Sequence, residues 1–106
     1  MTQEMTAEIG IAELVAGRPH GIVVDVRQPL DYVAGHVPGA VLMPTGQLPV
    51  RLAELDREKP VFVICATGNR SRPVTRALRQ AGYDAWSVAG GTAAWIEAGH
   101  AVEEGH

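Results

Sequence analysis

Val61-Phe62-Val63-Ile64-Cys65-Ala66-Thr67-Gly68-Asn69-Arg70-Ser71 is the stretch on which the fold turns. A run of β-formers ends in Cys65, the only cysteine of the chain. A glycine-containing turn follows. Val74, Ala77, Leu78 and Ala81 then recur at i, i+3, i+4 and i+7, which predicts an amphipathic helix closed by Gly82. Pro73 is tolerated only in the first turn of such a helix, so the helix is expected to begin near Arg70 or Ser71. A thiol between a buried strand and a helix start faces backbone N–H groups and the positive end of the helix dipole. Those surroundings favour thiolate, the nucleophilic form of cysteine. By residue type alone, a lone strand-end cysteine is more often a small buried hydrophobe.

Outward from this unit, strands and helices alternate. Ile22-Val23-Val24-Asp25-Val26 is β-branched and nearly continuous, as in a strand buried on both faces. Ile11, Leu14 and Val15 fall at helical spacing ahead of it, with Gly17 as a stop. Pro29 can open a short helix through Val33, and Gly35-His36-Val37-Pro38-Gly39 reads as a turn. Ala40 to Met43 is a candidate short strand. Leu48, Leu52 and Leu55 mark one face of a helix expected to end before Pro60. Asp84 to Val88 is a further strand, Gly90-Gly91 a turn, and Thr92 to Ala98 a last short helix stopped by Gly99. This order predicts an α/β fold, a parallel sheet with helices on its faces. Ligands of open α/β sheets bind beyond the carboxyl ends of the strands, where Cys65, Asp25 and Arg27 all fall.

With 106 residues the chain is read as one domain, residues 1–106, without repeat or linker. Its net charge of −3 gives no reason to expect nucleic acid or an anionic membrane as a partner. Locally the balance reverses: Arg70, Arg72, Arg76 and Arg79 follow the cysteine, and no acidic residue lies between Lys59 and Asp84. A single cysteine cannot form an internal disulfide. Met1 to Gly10 lacks the basic start of a signal peptide, and no apolar stretch reaches the length of a membrane span. The expected location is the cytoplasm.

In the loop itself, Gly68 permits a positive φ or the close approach of a ligand. Successive N–H groups in such a turn converge on an anion. Arg70 can add a planar cation, and Ser71 or Thr67 a hydroxyl donor. The arrangement suits a small anion whose electrophilic atom lies beside the sulfur.

Cys65-Ala66-Thr67-Gly68-Asn69-Arg70-Ser71 resembles the C-x-x-G-x-R-S active loop of rhodanese-like sulfurtransferases. Three further segments resemble the family in order: Val24-Asp25-Val26-Arg27 its D-V-R strand end, Gly35-His36-Val37-Pro38-Gly39-Ala40 its glycine-rich turn, and Gly90-Gly91 with Trp95 and Gly99 its closing motif. Together they run from about residue 9 to residue 103. The resemblance implies one rhodanese-like domain, with a central parallel five-stranded sheet flanked by helices on both faces. It also implies sulfane sulfur transfer, with Cys65 and Arg70 as catalytic residues. Ala66, Thr67, Gly68, Asn69 and Ser71 would bind the donor, with Arg27 at the pocket rim. The implied partners are a small donor such as thiosulfate, or a protein persulfide, and a thiol or cyanide acceptor. No metal or organic cofactor is implied.

The family often has a basic residue directly after the cysteine, where this chain has Ala66 and Thr67, so the loop interior offers one cation. That leaves room for a second reading, a non-catalytic binding or regulatory module. A cysteine-dependent phosphatase is a third. Related phosphatases and arsenate reductases place five residues between cysteine and arginine, whereas this chain has four, a tighter cradle better matched to a persulfide.

Other candidates read as structural. Asp25 lacks the glycine fingerprint of a nucleotide site before it, and is expected to pair with a nearby arginine. Arg27 either joins that pair or lines the rim. His36, in a turn, is expected to be a satisfied structural histidine. His20, His36, His100 and His106 show no metal-ligand spacing, and Trp86 and Trp95 read as packing residues.

Overall fold

A computed structural model describes residues 7–106. Five strands form one all-parallel sheet: β1 (Glu8–Ile9), β2 (Ile22–Asp25), β3 (Val41–Leu42), β4 (Val61–Ile64) and β5 (Ala85–Val88). Their spatial order is β1-β5-β4-β2-β3. The helices are α1 (Ile11–Gly17), α2 (Pro29–Ala34), α3 (Leu48–Arg51), α4 (Ser71–Gln80) and α5 (Gly91–Glu97). β4 is buried along its whole length, as its unbroken apolar run requires of a central parallel strand.

The alternation of side chains along the strands divides the core into two layers. Val24, Val61, Val63, Cys65 and Ala85 face Leu48 of α3 and Leu78 of α4. Val23, Phe62, Ile64 and Val88 face Leu14 of α1, Tyr32 of α2 and Trp95 of α5. Helices thus cover both faces, as the resemblance implied.

Two expectations are corrected in detail. Leu48 to Leu55 is not one helix: a 3-10 turn at Thr45–Gln47, the single helical turn of α3 and a second 3-10 turn at Leu52–Glu54 follow one another. Pro49 has no N–H to extend the helix backwards. Arg51 bends its backbone at the exit and donates from Nη1 to the Leu42 carbonyl at 2.7 Å. Leu48 and Leu55 still reach the core, with Leu52 packed against it. In α4 Ser71, Thr75 and Leu78 are buried, and Val74 and the following Ala81 pack against the core as expected, while Ala77 is exposed. α1 ends at Gly17, as expected, and a 3-10 turn, Arg18–His20, follows. Gly17 also serves a second end: a Cβ there would lie 2.8 Å from the Phe62 ring, so the glycine admits that ring to the core.

Candidate active site

β4 delivers Cys65 to the carboxyl end of the sheet, and α4 begins at Ser71, with Arg70 as its N-cap. Between them the chain turns at Gly68, whose φ is +101°. That conformation aims the Gly68 N–H at the Cys65 Sγ, 3.0 Å away. The Ser71 hydroxyl lies 3.5 Å from the same sulfur. Burial pushes the Cys65 thiol up, but the Ser71 hydroxyl and the backbone N–H groups of Ser71, Gly68 and Arg70 outweigh it. The net result is a thiol held below its usual range, although only 2% of the residue is exposed.

The backbone N–H of Arg70 is thus one of the groups that lower the thiol. Among the described residues the Arg70 side chain makes no hydrogen bond or ion pair, and it lines the cavity above the sulfur. That cavity, about 250 Å³, is also lined by Ala66, Thr67 and Asn69 of the loop and by Arg27. Gly68 and Ser71 lie beneath the sulfur, both buried. The loop residues Ala66 to Ser71 thus surround the Cys65 sulfur, with Arg27 on the cavity wall.

Arg27 does both things expected of it. Its Nη2 meets Asp25 Oδ2 at 2.8 Å and its Nε meets Oδ1 at 3.0 Å, a bidentate pair in the interior. Nη2 also donates to the Gly35 carbonyl at 2.8 Å, which ties the β2 end to the following turn. The fork is held in one orientation while the residue still lines the cavity. His36 is structural: its Nδ1 meets the Tyr32 carbonyl at 2.7 Å, and its ring stacks on Tyr32 with centroids 3.6 Å apart. Trp95 is buried and donates to the Ala101 carbonyl, and Trp86 donates to Asp84, so neither faces the cavity.

Three contributors escaped the sequence reading. Asp31, at the start of α2, lines the cavity and brings a carboxylate opposite the arginines. Thr92 donates from both its N–H and its hydroxyl to the Cys65 carbonyl, and the Ala93 N–H donates to Ala66. Ser87 on β5 lies 2.7 Å, oxygen to oxygen, from Ser71. Its one signal in the sequence was a hydroxyl at an inward position of a buried strand.

The Gly90-Gly91 turn has a role beyond reversing the chain. A Cβ on Gly91 would overlap the carbonyl of Cys65 and the backbone of Ala66, and φ at Gly91 is +60°. Only glycine lets α5 dock its first N–H groups on the cysteine loop.

The arrangement is a buried thiol with donors beneath it and cations at its mouth. It is suited to binding an anion in line with the sulfur and to stabilising negative charge left on sulfur. A family profile described as a rhodanese-like domain matches residues 7–98. A rhodanese-related protein from Thermoplasma volcanium superposes with a TM-score of 0.86 at 34% identity, covering 91% of this chain and 96% of that one. A rhodanese-like domain protein from Staphylococcus aureus gives 0.82 at 30% identity, covering 93% and 98%. A thiosulfate sulfurtransferase from Pseudomonas aeruginosa gives 0.83 at 27% identity, covering 92% of this chain but 19% of that one.

Proposed function

The chain belongs to the rhodanese-like domain family, and from that premise we propose that it is a sulfurtransferase carrying sulfane sulfur as a persulfide on Cys65. The observation that carries the reading is the sulfur itself: a lone thiol, held below its usual range, at the base of a cavity of about 250 Å³ with Arg70 and Arg27 on its walls.

The Cys65 thiolate attacks the outer sulfur of a donor such as thiosulfate. A sulfur–sulfur bond forms at Cys65, the donor's own sulfur–sulfur bond breaks, and sulfite leaves with the electron pair. The persulfide that remains is an anion in the same cradle, facing the loop N–H groups. An acceptor thiolate or cyanide then attacks the terminal sulfur and returns Cys65 as thiolate. The intermediate is covalent, so the kinetics are ping-pong. Arg70 orients the anionic donor, and Ala66, Thr67, Gly68, Asn69 and Ser71 form the cradle around the transferred atom. The chemistry asks for no metal and no organic cofactor. It needs a reduced cysteine between turnovers, which fits a cytoplasmic setting.

The loop interior beyond Arg70 offers Ala66 and Thr67, both exposed and uncharged. This favours, as a second reading, a module that accepts sulfur or binds a partner without efficient turnover; a protein persulfide then replaces thiosulfate as donor. Thiocyanate production from thiosulfate and cyanide separates the two. Turnover that vanishes in Cys65→Ser supports the enzyme; a persulfide that forms and reaches no small acceptor supports the module.

A further inference from the structure

The Ser71 hydroxyl sits at a crossing of three contacts: Cys65 Sγ at 3.5 Å, the Gly68 carbonyl at 3.2 Å and Ser87 Oγ at 2.7 Å. Ser71 and Ser87 are both sealed from solvent, at 0% and 1% exposure. Two hydroxyl protons must therefore be distributed within this group, and each arrangement suits one state of the sulfur. When Cys65 is a thiol, its S–H donates to Ser71, and the Ser71 hydroxyl donates to the Gly68 carbonyl. When Cys65 is a thiolate, Ser71 must turn its proton to the sulfur, and its oxygen then needs a donor from elsewhere. Ser87 is in place to be that donor, and among the described residues Ser71 is the only hydrogen-bond partner of its hydroxyl.

We propose that Ser87 is a positioning residue for Cys65: by donating to Ser71, it frees the Ser71 proton for the sulfur whenever the sulfur is an anion. The chain of hydroxyls runs from β5 through the start of α4 to the end of β4, so strand pairing sets its length. β4 and β5 are hydrogen-bonded neighbours, with Val63 opposite Ser87, which brings Ser87 alongside the end of β4. Burial makes such a chain cooperative, because in a low dielectric each bond polarises the next. Stabilisation of a terminal sulfur anion on Cys65 by the same route rests on the sulfurtransferase reading; stabilisation of the thiolate does not.

The test is the rate of Cys65 alkylation by iodoacetamide as a function of pH, in the wild type, Ser87→Ala, Ser71→Ala and the double variant. The charged groups at the cavity, Arg27 with Asp25, Arg70 and Asp31, are the same in all four proteins and move every profile alike. In Ser87→Ala the titration midpoint rises, and the rate below it falls by roughly two- to tenfold, the range one hydrogen bond covers. The double variant matches Ser71→Ala, because Ser87 reaches the sulfur only through Ser71. An unchanged profile in Ser87→Ala overturns the proposal, as does an equal loss on the Ser71→Ala background. Should Ser87→Ala not fold, Ser87→Thr and Ser87→Val make the same comparison at equal volume. Thr then titrates below Val, and coincident profiles overturn the proposal. Alkylation uses no sulfur donor, so its outcome is independent of whether the protein transfers sulfur.

Discussion

Thr92 holds the carbonyl oxygen of Cys65 from two atoms at once, its N–H at 2.8 Å and its hydroxyl at 3.1 Å. Cys65 is thus fixed by α5 as well as by the strand that carries it. The first N–H groups of a helix have no partner within the helix, and here they satisfy the carbonyls of the cysteine loop.

This docking depends on Gly91. Gly91→Ala would force a Cβ into the Cys65 carbonyl at a backbone angle that favours glycine. The expected cost is about 2 kcal/mol or more. Thermal or urea unfolding reads the loss, and slower alkylation of Cys65 at neutral pH reports the displaced loop. A variant as stable and reactive as the wild type would remove Gly91 from this role.

The ion pairs differ sharply in weight. Arg27→Ala leaves the Asp25 carboxylate, which is fully buried, without its partner, and should cost about 3–5 kcal/mol. Arg72 pairs with Glu8 at the surface, and Arg72→Ala should cost less than about 1 kcal/mol. Urea unfolding of the two variants side by side checks the contrast, and equal losses would contradict it.

What the sequence made legible follows the strength of its local signals. Val61 to Cys65 and Ile22 to Val26 are long apolar runs, and both are central strands. β1 is a two-residue edge strand, Glu8–Ile9, too short to show any period; it entered only through the family resemblance. Leu48, Leu52 and Leu55 carried a helical spacing that two 3-10 turns also satisfy, since all three conformations bring these leucines to one side. At the site, the cysteine loop was readable because its residues are consecutive. Ser87 and Thr92 were not, because they come to Cys65 through strand pairing and helix docking.

Arg70 offers the site both a main-chain donor and a side-chain cation. Its N–H is among the donors that lower the Cys65 thiol and survives in Arg70→Ala, so that variant should leave the pH profile of alkylation close to that of the wild type. Loading from thiosulfate should still fall, by roughly ten- to a hundredfold in kcat/KM, the worth of a hydrogen bond to a charged group. A shifted alkylation midpoint would return the guanidinium to the role of thiolate partner.

The depressed thiol also makes stability depend on pH. Folded Cys65 releases its proton at lower pH than the unfolded chain does. Between the two values the unfolded state holds more protons, so stability rises with pH. The gain is complete above the unfolded thiol value and is lost as pH falls through the folded one. Urea midpoints of the wild type and Cys65→Ser, compared from about pH 6 to about pH 10, should diverge toward the alkaline end. Parallel curves would mean that the thiol is not held low.

The central claim is that Cys65 carries sulfur, and intact-protein mass spectrometry after exposure to thiosulfate tests it most directly. The expected result is the added mass of one sulfur atom on the wild type, removed by cyanide or a thiol and absent in Cys65→Ser. A wild-type mass unchanged by thiosulfate and by every persulfide donor tried, with Cys65 still open to alkylation, would contradict it.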